Sequence, residues 1–270
     1  MPSVTILLLT IDRYEVTSKV ITQALLNAGH TFTLHVHDNG SSDVAIQKWG
    51  LDQSRQYNGK YTRSESNIGT TQALNIMMRG TNSDYYVFIG NDIALPPGWL
   101  KAMVEYAEAI PNSGMVGINW RPLEYPAAVV NGKLTWPSKR IFGDVLFGKH
   151  VRQAIGELCE DYGPYGLWDS DTAVRCEMAG LLNYYIADLR SEHMTNDVGE
   201  DSDYRRMKDA SLSTAKPIYS ANVEQYKTTG LINLSYEKGY KETRPAWYGK
   251  DSGVDQPSGT GPEGLQGQVG

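Results

Sequence analysis

Carboxylates and one histidine stand in this sequence where stretches of regular structure end, and their types suit the handling of an anionic ligand. Gly90-Asn91-Asp92 closes the apolar run Tyr85-Tyr86-Val87-Phe88-Ile89. An aspartate at the carboxyl end of a strand is a hard oxygen donor for a divalent cation, as a diphosphate site requires. Asp38 ends a second apolar run and leads into Asn39-Gly40-Ser41-Ser42-Asp43. There it either accepts hydrogen bonds from a base or ribose or caps the turn itself, while Ser42 or Asp43 is placed to cap the next helix. Ser66-Asn67-Ile68-Gly69 precedes a helix whose free N–H groups suit an anion. Asp169 and Asp171 lie two apart at a helix start, and Asp171 with Arg175 forms an i,i+4 pair that leaves Asp169 freer to act as a general base. The helix dipole alone also favours acids at that position. His193 follows a strand, as a metal ligand or as an ordinary surface histidine.

Elements that would position these residues are readable from hydrophobic patterning. The run 4–9 is apolar throughout, as a strand buried on both faces must be, and 15–28 has helical periodicity through Val16, Val20, Ile21, Ala24 and Leu25. Strands over 31–37, 60–64 and 85–89 alternate with helices over 43–51 and 69–78, and a further helix starts after Pro96-Pro97-Gly98. Such alternation predicts a mostly parallel central sheet with helices on both faces. Ligands of such sheets bind beyond the carboxyl ends of the strands, which puts 10–13, 38–42, 66–69 and 90–92 on one rim. The second half predicts a hairpin over 129–135 around Asn131-Gly132, a strand over 144–147, a short helix over 148–155 and a helix over 169–179. A strand over 183–187 and helices over 199–208 and 221–228 follow. Six glycines and two prolines in 251–270 describe a flexible tail.

Composition excludes several classes. With 270 residues, 40% hydrophobic and 21% charged, the chain is large enough for a real core and too apolar for disorder. No window approaches the roughly 18 apolar residues of a membrane span, and no basic leader precedes 4–9, so a cytoplasmic protein is expected. Cys159 and Cys176 fit free buried thiols rather than a disulfide framework. The net charge of −6 is unevenly spread: 157–203 holds twelve acids against Arg175 and Arg190, and the tail three more, so the remainder is basic. Carboxylates packed that densely are easier to keep where a cation or a catalytic demand offsets their repulsion, although a solvated acidic face is the plain alternative.

In order and spacing, these features resemble the GT-A glycosyltransferases, and among them the family 2-like inverting enzymes. The resemblance runs from about Val4 to His193. It is carried by Leu7-Leu8-Leu9-Thr10-Ile11-Asp12-Arg13, His37-Asp38-Asn39-Gly40-Ser41-Ser42-Asp43, and Asn67-Ile68-Gly69 with Asn75. It continues through Phe88-Ile89-Gly90-Asn91-Asp92-Ile93, Pro97-Gly98-Trp99-Leu100, Trp168-Asp169-Ser170-Asp171 with Arg175 and Gly180, and His193. It implies a GT-A, Rossmann-like α/β fold with a nucleotide-sugar-binding half over 1–118 and an acceptor-binding, catalytic half over 119–215. A C-terminal helical extension over 216–250 and the tail follow.

By the same resemblance Thr10, Ile11, Asp38, Asn67 and Gly69 line the nucleotide-sugar pocket, Arg13 meets the diphosphate, and Asp144 contacts the donor sugar. The family's Asp-X-Asp motif falls on Gly90-Asn91-Asp92, so its first acid is absent. Asp92 is then the direct ligand of Mn²⁺ or Mg²⁺, Asn91 lies near the ribose or the metal's waters, and His193 completes the protein's share of the metal shell. Asp169 matches the catalytic base. Trp168 stands where the family has Glu, and with Asp171 it is a candidate acceptor contact; Trp168 alternatively packs. Arg205, Arg206 and Lys208 in 199–208 form a lid over the phosphates or a plain solvated helix. The implied donor is a nucleoside-diphosphate sugar, UDP-linked in the commonest case. The acceptor is a carbohydrate, glycolipid, protein or modified nucleic acid. A nucleotidyltransferase lacks support because 10–14 is not a Gly-rich loop, and an NAD enzyme because no G-x-G-x-x-G follows Leu9. A fold kept only for binding and a retaining transferase stay open as alternatives.

Overall fold

Successive side chains of a strand point to opposite faces, so an uninterrupted apolar run needs a packed layer on each side. Strand β1 (Val4–Thr10) meets this condition: Ile6 and Leu8 enter one hydrophobic cluster while Leu7 enters another across the sheet. Helices α1 (Tyr14–Leu26) and α4 (Trp99–Ala109) cover the first face through Ile21, Leu25, Trp99 and Met103. Helices α3 (Thr70–Arg79), α5 (Lys149–Ile155) and α6 (Trp168–Met178) cover the second through Leu74, Met77, Val151 and Cys176. The computed structural model describes residues 1–119, 126–194, 202–239 and 241–245.

The remaining strands are β2 (Thr33–Asn39), β3 (Lys60–Ser64), β4 (Tyr85–Ile89), β5 (Ile93–Ala94), β6 (Ser113–Asn119), β7 (Ala128–Val130), β8 (Lys133–Pro137) and β9 (Val145–Gly148). They are followed by β10 (Leu182–Arg190) and β11 (Glu192–His193). Nine of these form one sheet in the order β3-β2-β1-β4-β9-β6-β10-β8-β7. Pairing directions leave only β9 and β8 running against the other seven. Chain order reverses at β1, which lies between β2 and β4, and this is where an open α/β sheet leaves a crevice at its carboxyl edge. Helix α2 (Val44–Gln56) begins at Asp43, whose side chain accepts from the Ala45 N–H as a cap.

Three expectations need revision. Strand β6 was not expected, because Gly114 and Gly117 interrupt its apolar pattern. Packing explains them: a Cβ on Gly117 would lie 2.6 Å from Ile141 and 2.9 Å from Tyr185. The helices expected over 199–208 and 221–228 are parts of one helix, α7 (Ser202–Thr229), which runs through Pro217. Pro217, which lacks the N–H a helix interior uses, lies between the two expected helices without ending the helix. Boundaries at 118/119 and 215/216 therefore fall inside β6 and α7. The segment after α7 is not helical but an antiparallel pair, β12 (Leu231–Ser235) and β13 (Glu242–Pro245). Residues 199–201 of the expected lid and the tail 251–270 lie outside the described residues. No described helix is long and apolar enough to cross a membrane.

The second half is anchored by buried charge. Arg175 and Asp171, both without accessible surface, pair at 2.7 Å one turn apart on α6. Asp171 also accepts from the Tyr162 hydroxyl at 2.7 Å, and Arg175 donates to the carbonyls of Ile155 and Glu157. Removing one partner leaves the other charge buried and uncompensated, a loss of about 3–5 kcal/mol. Arg175→Met should therefore lower the urea midpoint strongly at pH 7, while Asp171→Asn combined with Arg175→Met recovers much of that loss. An Arg175→Met midpoint equal to wild type would show that the pair does not hold α6.

Candidate active site

The rim begins where β1 ends. Asp12 and Arg13 both occupy the left-handed region, at φ 45° and 58°, which non-glycine residues avoid unless surrounding contacts hold them. The contacts are present. Asp12 Oδ1 accepts from the N–H groups of Ser42 and Asp43 at 2.8 and 2.9 Å, and its own N–H donates to Ser41 Oγ. This stitches the β1–α1 turn to the start of α2 and throws Arg13 across the rim, where Nη1 lies 3.2 Å from Asp92 Oδ2. Thr10 is buried, with its hydroxyl turned to the His37 carbonyl, and Ile11 is half-buried beside it.

Asp38 has no accessible surface. It accepts from the Ser41 N–H, the Tyr61 hydroxyl and Arg63 Nε at 2.9, 3.2 and 2.9 Å. In this structure Asp38 caps its own turn, and Arg63, a half-exposed side chain also bonded to the Ser41 carbonyl, is what the rim presents beside it. Asn67 is exposed; its Oδ1 accepts from Asn39 and from the Gly69 N–H, which fixes the approach to α3. At Gly69 φ is +90°, and a Cβ would lie 3.1 Å from the backbone of Gly163 and Pro164. Gly40, at φ +86°, lets the β2–α2 turn close on Ser66, where a Cβ would meet backbone at 2.6 Å.

Two short strands bring the distant histidine to the aspartate. Strand β11 pairs with β5, with His193 opposite Ile93, and His193 Nε2 lies 3.9 Å from Asp92 Oδ1. Asn91 turns to Thr17 on α1, donating at 3.2 Å. The reversal of β9 places Asp144 at the carboxyl end of β4, where Oδ1 accepts from the Gly90 N–H at 3.0 Å and Oδ2 has no partner. Burial first, and then the charge of Asp92, push the Asp144 carboxyl up to about 7. Among the described residues no three His, Cys, Asp or Glu side chains cluster as a metal cage. Asp92 and His193 nevertheless converge, and a carboxylate oxygen with an imidazole nitrogen is a donor set that fits a divalent cation such as Mn²⁺.

Asp169 occupies the first turn of α6, partly exposed, with Oδ1 accepting from the Ser170 N–H at 2.7 Å. Burial pushes its carboxyl up to about 6, against the opposing pull of that N–H and of Arg140 nearby. Trp168 packs edge-on against Phe88, with ring centroids 5.5 Å apart, and is 9% exposed, so the stacking face expected for an acceptor is used in the core. Asp171 cannot touch an acceptor either, because it is sealed in the pair with Arg175. Arg63, Arg140 and Tyr219 were not anticipated. Arg63 stands opposite Asp38 in the β2–β3 register, which single strands do not disclose.

Residues 5–142, just over half of the chain, match the sequence profile of glycosyl transferase family 2. None of the curated protein sequences matches the chain. Among solved structures, a mannosyltransferase from Pyrobaculum calidifontis, PcManGT, in complex with GDP-Man and Mn²⁺, aligns at TM-score 0.63 and 19% identity over 83% of this chain and 69% of its own. GalNAc-T7 with UDP, GalNAc and Mn²⁺ aligns at 0.57 and 9%, covering 72% of this chain and 43% of that one. TarS 1-349 from S. aureus with UDP-GlcNAc aligns at 0.55 and 14%, covering 76% and 64%. The chain thus spans less than two thirds of the latter two. The sheet order, the rim and the profile agree, and the chain belongs to glycosyl transferase family 2, a glycosyltransferase of the GT-A fold.

Proposed function

We propose that the protein transfers a sugar from a nucleoside diphosphate, UDP in the first instance, to an acceptor hydroxyl with inversion, and that Asp169 is the general base. The observation that carries this reading is the division of work among the carboxylates. Asp171 is committed to Arg175, Asp38 to Arg63 and Tyr61, and Asp144 is buried against Gly90. Asp169, in the first turn of α6, keeps partly exposed surface and a raised proton affinity. A base near pH 6 is strong enough to take a hydroxyl proton in the transition state yet is ionised at neutral pH. Inversion requires that this proton leave from the face opposite the departing diphosphate, and the two sites sit on different elements, α6 and the β4–β5 turn.

On the donor side, Asp92 and His193 would hold a divalent cation, which supplies charge neutralisation to the leaving diphosphate. Arg13, already at Asp92 and held there by its strained turn, is placed to take a phosphate oxygen. Asn67 and Arg63 would flank the nucleoside side of the rim, and the buried Asp144 carboxyl, whose burial raises its pKa to about 7, is the residue assigned to the donor sugar. UDP is favoured because two of the three neighbours are complexes of UDP or UDP-GlcNAc, whereas the third holds GDP-Man. The acceptor falls among carbohydrates, glycolipids, proteins and modified nucleic acids.

Asp169→Asn is expected to lower kcat about 10²–10⁴-fold, the usual contribution of a general base, with the Kd for UDP unchanged in calorimetry. Transfer at the wild-type rate would sink the base assignment. Because the base works deprotonated and its pKa is raised in the free protein, kcat/KM should fall as pH drops through about 6 and stay level above it. A profile flat to pH 4.5 contradicts this. For the metal, Asp92→Ala and His193→Ala should each abolish the enhancement of UDP binding by Mn²⁺ in calorimetry. An intact enhancement in both variants would place the cation elsewhere.

A further inference from the structure

We propose that Asn222 of α7 is a positioning residue for Asp169: together with Lys241 it holds the first turn of α6 and so aims the carboxylate which that turn carries. The inference rests on Asp169 as the base. Helix α6 starts without a side-chain cap, since Leu167 at its N-terminal boundary makes no such hydrogen bond. The first N–H groups of a helix have no partners within it, and a start that no side chain caps is prone to fray. Asp169 sits in that turn, so its direction needs a tie from outside the helix.

The tie is a chain of hydrogen bonds with one polarity. The Asp171 carboxylate can only accept, so Arg175 takes its Oδ2 and the Tyr162 hydroxyl gives a proton to Oδ1, both at 2.7 Å. With both oxygens held, the turn that bears them is held too. The Tyr162 oxygen then accepts, and buried Asn222 donates to it from Nδ2 at 3.2 Å. The same amide reaches Asp161 Oδ2 at 3.3 Å, while its Oδ1 accepts from Lys241 Nζ at 3.2 Å. Lys241 also pairs with Asp161, which the Tyr236 hydroxyl meets at 3.2 Å. Asn222 therefore joins α7 to the single turn Glu160–Tyr162 and to the residue that precedes β13. Helix α7 is seated directly on the approach to α6, where a Cβ on Gly166 would lie 3.2 Å from Ala215. An amide is needed at 222: an alanine removes the donor to Tyr162, and an aspartate has no hydrogen to give and would face Asp161.

The test uses the full chain. In protein labelled with ¹³C-aspartate, with the Asp169 signal assigned by its loss in Asp169→Asn, the wild-type carboxyl should titrate at about 6. In Asn222→Ala the loosened turn admits water, and the titration should fall toward the ordinary carboxylate value of about 4. Lys241→Met should act in the same direction, and Lys241→Arg, which keeps the cation, should not. All three variants should bind UDP with Mn²⁺ as wild type does in calorimetry, which certifies the fold. A second readout is hydrolysis of UDP-GlcNAc or GDP-mannose, whichever the wild-type protein turns over faster, with water as the acceptor. There Asn222→Ala should lower kcat by about 10–100-fold, the scale of loss from a misplaced group, and by nothing further once Asp169 is Asn. An Asp169 titration unchanged in Asn222→Ala, or an equal loss of kcat in both backgrounds, overturns the proposal. Wild-type turnover by Asp169→Asn overturns the base reading instead, and leaves Asn222 a structural contact whatever its effect on the titration.

Discussion

A fully buried ion pair governs the second half of the chain. Two charges removed from water gain from each other only when geometry and further hydrogen bonds are good, and Asp171 with Arg175 has both: a 2.7 Å contact, a tyrosine hydroxyl on the acid and two carbonyls on the base. The carbonyls belong to Ile155 and Glu157, so the pair ties the end of α5 to the first turns of α6. Asp169 is two residues from Asp171, and its direction follows from that tie. Tyr162 and the segment leading to α6 are fixed by the same carboxylate, and Asn222 of α7 donates to Tyr162 in turn. A surface ion pair would not transmit position in this way, because solvent would let each side chain move independently.

Given that anchor, the rest of the site is assembled by strand direction. If β9 ran parallel to its neighbours, Asp144 would stand at the far edge of the sheet; reversed, it meets Gly90. The two-residue pairing of β5 with β11 closes a separation of about a hundred residues to 3.9 Å between Asp92 and His193. The rim is set by a local device, the strained Asp12–Arg13 turn, in which one side chain accepts from the two N–H groups just before α2 and the next crosses to Asp92. The carboxylates of the site are therefore unlike: Asp171 is sealed by a cation, Asp144 is held buried beside a backbone N–H, and Asp169 is partly exposed with a raised pKa. The family and the GT-A fold are fixed by the profile and the sheet; the roles of these side chains are our reading of the geometry.

Much of this was legible in residue order. The run of β1, the strands Lys60–Ser64 and Tyr85–Ile89, the Asp43 cap and the Asp171–Arg175 pairing follow from local periodicity and spacing, and the structure has them. The meeting of Asp92 with His193 came only through resemblance to a family, since no local signal links them. What the sequence concealed depends on tertiary context. Gly114 and Gly117 hid β6 because their cause is the crowding of Ile141 and Tyr185 from elsewhere in the chain. The continuity of α7 was concealed because nothing local states that a helix carries on through Pro217. Arg63 opposite Asp38, and Trp168 turned into Phe88, depend on register and on side-chain direction, neither of which a single sequence states.

The central claim is that Asp169 deprotonates an acceptor on the face opposite the leaving diphosphate. The anomeric configuration of the first product formed from an α-linked nucleotide sugar, read by ¹H NMR before mutarotation or exchange, tests it most directly. The account predicts a β-linked product. An α-linked product would mean retention, and a single base at Asp169 could not then be the group that drives transfer.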